Sequence, residues 1–166
     1  MTIDEEIHQT NWSSFRQKAM VNTMFTSRVL EEMSVSLLKE HDLTLPQFNI
    51  LRILRGQKGN PATVKLLTER MLDKSSNASR LVDKLLEKRL VQREGCPDDR
   101  RSVEVRITDA GLELLDRIDR ENEGWEISAP SFSDNEARQL SDLLDKLRGA
   151  FRPCPPAAGA RDENQD

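Results

Sequence analysis

The chain has 166 residues, 33% of them charged and only 4% aromatic, with no Tyr and a formal charge of −4. That length holds one comfortable domain, and so few aromatics exclude a sheet sandwich in favour of charged amphipathic helices. The negative total excludes a protein coated in basic residues, and the 36% hydrophobic share fits an extended helical chain that completes its core by pairing.

Residues 1–10 read as a frayed start. From about Asn11 to Glu40 apolar residues recur at helical spacing (Trp12, Phe15, Ala19, Met24, Leu30, Met33, Leu37, Leu38) with no Gly or Pro, so one long helix is expected. It exceeds what a small domain needs and suits packing against a partner chain. Thr44, Pro46 and Gln47 then form a helix start: a capping hydroxyl, a proline in the first turn, and a glutamine three residues after the cap. Phe48, Leu51 and Leu54 make one apolar face, and the helix stops near Gly56. A short helix is expected over 63–70, a tight connection over 71–74, and a third helix over 75–88 with Asp73 as its N-cap. Leu90–Glu94 and Ser102–Ile107 alternate apolar and polar residues and read as strands joined by a polar turn, a β-hairpin. Thr108 caps a helix over 109–124, and Pro130 breaks the chain. Ser133 and Glu136 form a capping box that opens a last helix ending at Gly149. Ala137, Leu140, Leu143, Leu144 and Leu147 give that helix a narrow apolar stripe, suited to a helix–helix seam. Residues 150–166, rich in Pro, Ala and charge, read as a disordered tail.

Helix, short turn, helix, β-hairpin is the order of a winged helix-turn-helix. The fold expected is therefore mostly α with a small β-hairpin wing over 43–107, and a helical dimerisation region over 11–40 and 109–149. On a helical wheel Ala78, Leu81, Val82, Leu85 and Leu86 share one face. The opposite face begins with Ser75, Ser76, Asn77, Ser79 and Arg80. Short side chains let a helix sit deep in a major groove, where Asn and Arg can bond adenine and guanine edges. Lys84 lies further along, near the backbone. At the hairpin tip, Arg100 and Arg101 can reach a narrow, electronegative minor groove, while Asp98 or Asp99 pairs with an arginine and shapes the wing. Between Arg70 and Arg106 there are ten Lys/Arg against seven Asp/Glu, whereas the rest of the chain has fifteen against twenty-two. The basic middle is a mild nucleic-acid footprint. A winged helix turned to protein interaction is the rival reading. It would want an apolar or acidic third helix, against which Ser76, Asn77 and Arg80 speak.

Catalysis is not expected. His8 and His41 are isolated, no metal-ligand spacing appears, and there is no phosphate loop or nucleophile elbow. Two distant cysteines, Cys96 and Cys154, make no disulfide framework, and Cys96 among arginines is a candidate redox thiol. The acidic start, without an apolar run, and the absence of a membrane-length apolar segment point to a cytoplasmic protein.

The stretch Asp73-Lys-Ser-Ser-Asn-Ala-Ser-Arg-Leu-Val-Asp-Lys-Leu-Leu-Glu-Lys, then Asp99-Arg-Arg-Ser-Val, Ile107-Thr-Asp-Ala-Gly and Leu43-Thr-Leu-Pro-Gln-Phe resemble the MarR family of transcription regulators, a likeness running over about residues 12–148. The resemblance implies an obligate homodimer built from the terminal helices, a transcription repressor that binds palindromic duplex DNA. It also implies relief by a small aromatic or lipophilic effector, with no cofactor, metal or membrane. The pocket is expected between the first helix, the Phe48 helix and the start of the helix after the wing, near Met20, Met24 and Met33. The resemblance also assigns Arg101 to the minor groove and Asp99 to wing support. Two departures stand out: Arg89 occupies a position where the family usually has Gly, and the turn near Leu72 has no Gly.

Overall fold

The computed structural model describes residues 1–95, 103–121 and 132–151. It falls into two compact units, Met1–Gly124 and Trp125–Asp166.

The first unit opens with α1 (Ile3–Glu6), where a frayed start was expected. The reason lies in Asp4: its carboxylate accepts from Trp12 Nε1 and pairs with Lys18, tying the first residues to the following helix. A capping box between Thr2 and Glu5 completes the turn. The long helix α2 spans Phe15–Lys39, starting four residues later than the apolar spacing suggested because Ser14 takes the cap and accepts from Gln17 N at 3.2 Å. Trp12 therefore precedes the helix. Helix α3 (Leu45–Arg55) begins at the expected capping box of Thr44 and Gln47. Strand β1 (Ala62–Thr63), too short for any alternation to show in sequence, leads directly into α4 (Val64–Arg70), capped by Thr63. Helix α5 (Ala78–Glu87), β2 (Val91–Gly95), β3 (Val103–Ile107) and α6 (Asp109–Glu121) follow.

The sheet is antiparallel with order β1-β3-β2, Val91 facing Ile107 and Ala62 facing Val105. The hairpin is thus the expected wing stem, extended by a third short strand. Around it Leu38, Ile50, Leu51, Leu67, Val82, Leu85, Val105, Leu115 and Ile118 are fully buried in one core. Each such side chain contributes about 1.5–3 kcal/mol on leaving water. Helix α6 shares that core through Leu114, Leu115 and Ile118 and is pinned to α3 by ions: Asp119 takes Arg52 at 2.9 Å and Arg55 at 2.7 Å.

Gly111 explains why α6 starts where it does. A β-carbon there would stand 2.4 Å from Leu90 O and 2.7 Å from Ile107 Cγ1, so only glycine lets the first turn of α6 touch the α5–β2 link. Thr108 locks the same corner. Its hydroxyl donates to Arg89 O at 2.9 Å and accepts from Gly111 N at 3.2 Å.

In the second unit α7 (Asp134–Gly149) starts at the Ser133–Glu136 capping box and ends at the expected glycine. None of its residues is buried, and Leu140 and Leu143 stand open. Among the described residues no helix is long and apolar enough to cross a membrane. The expected tail beyond residue 151 lies outside the described residues.

Candidate nucleic-acid interface

Helix α5 is strongly two-faced. Ala78, Val82 and Leu85 are buried and Leu81 and Leu86 half-buried, while Ser79, Arg80, Asp83, Lys84 and Glu87 are exposed. The wheel drawn from sequence holds. The helix start does not: it lies at Ala78, not Ser75, and the cap is Asn77, whose side-chain oxygen accepts from Arg80 N at 3.1 Å. Two capping options competed, and the one closer to the first buried residue won. Asp73 builds the preceding turn instead. Its Oδ1 accepts from Ser75 N at 2.9 Å and from Ser75 Oγ at 2.7 Å, and its Oδ2 from Ser76 Oγ at 2.6 Å. The hydroxyl of Ser76, then that of Ser75, holds the Asp73 carboxyl below its ordinary range. Asn77 thus has its oxygen committed to the backbone, which weakens its expected bidentate grip on adenine.

The exposed face carries two cations one helical turn apart, Arg80 and Lys84, and neither has an acidic partner among the described residues. The acid between them is neutralised: Asp83 Oδ1 lies 2.6 Å from Arg93 Nη2 on β2. That pair also occupies one of the arginines expected to activate Cys96. On the hairpin stem Arg106 grips Glu94 through Nε and Nη2, both at 3.2 Å, and keeps its carboxyl below the usual range. Cys96, Asp98, Asp99, Arg100 and Arg101 lie outside the described residues.

Sequence reasoning missed several neighbours. Lys74 folds back onto the last carbonyls of α4, those of Thr68 and Glu69. Leu72 N donates to Asn49 Oδ1 at 2.9 Å, pinning the turn to α3. His41 Nε2, far from isolated, is 3.1 Å from Glu121 Oε2, eighty residues away in sequence. These two line an open hollow of about 560 Å³ with Met33, Ser36, Leu37 and Glu40. It lies at the C-terminal ends of α2 and α6, rather than the start of α6, and Met20 and Met24 are not part of it. No group of three or more His, Cys, Asp or Glu among the described residues could hold a metal.

The family model described as MarR family matches residues 41–102. The uncharacterized HTH-type transcriptional regulator YkoM of Bacillus subtilis is 31% identical over 112 residues, covering 63% of this chain and 71% of YkoM. The chain belongs to the MarR family. It is a MarR-family transcription regulator with a winged-helix fold. MgrA of Staphylococcus aureus, an HTH-type transcriptional regulator, is 29% identical over 144 residues, 86% of this chain and 90% of MgrA. A mutant MarR from E. coli, solved with operator DNA, superposes with a TM-score of 0.68 at 20% identity, covering 83% of this chain and 99% of that one. The organohalide-sensing regulator RdhR, solved with 2,4-dichlorophenol, gives 0.71 at 20% identity, covering 86% and 87%.

Against the expected MarR-family pattern, Arg89 adopts the left-handed backbone of the glycine it replaces, with φ of 59°. Arg89 N donates to Leu86 O at 2.9 Å and Leu90 N to Leu85 O at 3.0 Å, closing α5 as a Schellman motif. The motif survives without glycine, at a backbone cost of about 1 kcal/mol.

Proposed function

We propose that this chain is a homodimeric, ligand-responsive repressor that binds near-palindromic duplex DNA. The observation that carries the DNA reading is the pair Arg80 and Lys84, exposed and without acidic partners among the described residues, on a helix whose other face is locked into the core. Such a helix offers guanidinium to a base edge and ammonium to backbone phosphate at once. That the E. coli neighbour was solved with operator DNA supports the DNA-binding reading. Ser79 sits beside Arg80 at the groove floor, with Ser75, Ser76 and Asn77 just ahead of it. Arg100 and Arg101 at the wing tip reach the minor groove, and Asp99 shapes the wing.

Pairing is supported by unfilled apolar surface. Phe15, Met24, Met33 and Val35 on α2, and Leu140 and Leu143 on α7, are all more than 40% exposed. The two helices at the chain's ends are the dimerisation elements, and two recognition helices related by a two-fold read half-sites about one DNA turn apart. The effector is a small aromatic or lipophilic molecule, supported by the dichlorophenol of RdhR, and no cofactor is required. The protein works in the cytoplasm.

Sedimentation at micromolar concentration and a mobility shift on the DNA upstream of its own gene, at several salt concentrations, test the two halves separately. A monomer removes the pairing. Absence of a shift at low salt removes the DNA reading and favours a protein-interaction module.

A further inference from the structure

Between α3 and α6, Leu72 is the one large hydrophobic side chain left exposed among the described residues, at 81%. It is held outward rather than adrift. Its N–H is fixed to Asn49 on α3, and its neighbour Met71 is fully buried. This residue sits in the turn that leads into α5, so a helix that enters a major groove by its N-terminal end carries Leu72 toward the DNA.

Three residues on, Ser75 and Ser76 present a second, independent peculiarity. A serine hydroxyl has one proton to donate and two lone pairs to offer. Both protons are consumed by Asp73, one on each carboxylate oxygen. Toward DNA these hydroxyls therefore act as acceptors only. Phosphate oxygens, guanine O6 and N7, adenine N7 and thymine O4 are acceptors too and find no partner here. The donors a major groove offers are the amino groups of adenine and cytosine. Asp73 itself repels phosphate, and Lys74 is turned away onto the end of α4, so the turn is no backbone clamp.

An apolar side chain and acceptor-only hydroxyls in one turn have a common complement. The A·T pair alone shows both an exocyclic amino donor and a methyl group in the major groove; C·G shows the amino group without the methyl. We propose that Leu72, Ser75 and Ser76 form a specificity element for A·T pairs, Leu72 against the thymine methyl and the hydroxyls against the adenine amino group. It lies beside the positions read by Arg80. This rests on the DNA-binding reading above and adds to it which bases the turn selects.

The test alters the DNA atom by atom, so it does not depend on any variant folding. Duplexes bound by the full-length wild type are enriched from a random pool, and one is then scanned with uracil for thymine, which removes the methyl, and with unsubstituted purine for adenine, which removes the amino group. At one or two positions per half-site, each change should weaken wild-type binding about fivefold, the lower end of what a wrong base pair costs. Leu72→Ala should lose the sensitivity to uracil and keep that to purine, and the double variant Ser75→Ala, Ser76→Ala should do the reverse. Asp73→Asn should flatten the preference for the amino group, because an amide no longer fixes both protons. A uniform response to the analogues, or the same response in wild type and variants, overturns the specificity element while leaving DNA binding intact. A wild type that retains no duplex from the pool overturns both.

Discussion

Gly111→Ala is the sharpest perturbation of the corner where α5, the wing stem and α6 meet. The added carbon would stand 2.4 Å from a backbone oxygen, whereas ordinary contact begins at 3.4 Å. Helix α6 must therefore retreat by about 1 Å, for a carbonyl cannot rotate aside as a side chain would. The retreat strains Thr108 N to Leu90 O, at 3.1 Å, and Thr108 Oγ1 to Arg89 O, at 2.9 Å. Overpacking costs about 1–3 kcal/mol, and each weakened hydrogen bond up to about 1 more. Alanine's better helix propensity returns about 1. The net expectation is a loss of up to about 4 kcal/mol, centred on ~2, which is roughly 4–8 °C in Tm for a chain of this size. Urea unfolding followed by circular dichroism, at one fixed chain concentration, measures it. Gly149→Ala is the control, since a β-carbon there meets nothing within 4 Å. If Gly111→Ala unfolds at the wild-type midpoint, the close approach is not what holds this corner.

Other substitutions test separate links. Arg89→Gly should stabilise by about 0.5–1 kcal/mol, because relief of the left-handed backbone outweighs the entropy glycine loses on folding; an unchanged or lower midpoint refutes the strain. Arg80→Ala should cost ~1–3 kcal/mol at one operator position and relax preference there; an equal loss across single-base variants would refute base reading. Arg101→Ala should weaken binding to many sequences and reduce the salt slope by about one, with no loss of affinity as the refuting result. The Asp73 carboxyl is held below its ordinary range, so the order it lends the α4–α5 turn is complete above the ordinary aspartate pKa. That order is lost as pH falls through the lower folded value. Carboxyl chemical shifts from pH 2 to 6, with Ser75 amide exchange alongside, should show both changes together, and a Ser75 amide indifferent to that titration would refute the link.

Much of the fold was legible because capping is local chemistry. Thr44, Thr108 and Ser133 each announced a helix within four residues of themselves, and the two-residue alternation around Val91 and Val105 announced the stem. The start of α5 was not legible, because Asp73 and Asn77 both qualify as caps and only the burial of Ala78 decides between them. The grip of Asp4 on Trp12 and Lys18 was hidden because nothing in an acidic N-terminal run says which carboxylate finds a partner. Contacts across long separations were hidden for a simpler reason. The pairing of His41 with Glu121, of Asp83 with Arg93, and of Asn49 with Leu72 depends on packing angles that no spacing rule contains. The exposed face of α5 was readable as a face, but the engagement of the Ser75 and Ser76 hydroxyls in the turn before it was not.

The sheet order has a mechanical consequence. Strand β3 is bonded on one side to the stem strand β2 and on the other to β1, which runs straight into α4. Bending the wing should therefore pull on the helix-turn-helix, so that α4, α5 and the stem are expected to move as one tool head. Slow amide exchange at Val105 and Val82 should report a single shared opening event. A signal arriving at the ends of α2 or α6 has little room to reshape such a head from within. An effector bound there would act by tilting the head as a whole, like a hand turning a key without changing its teeth.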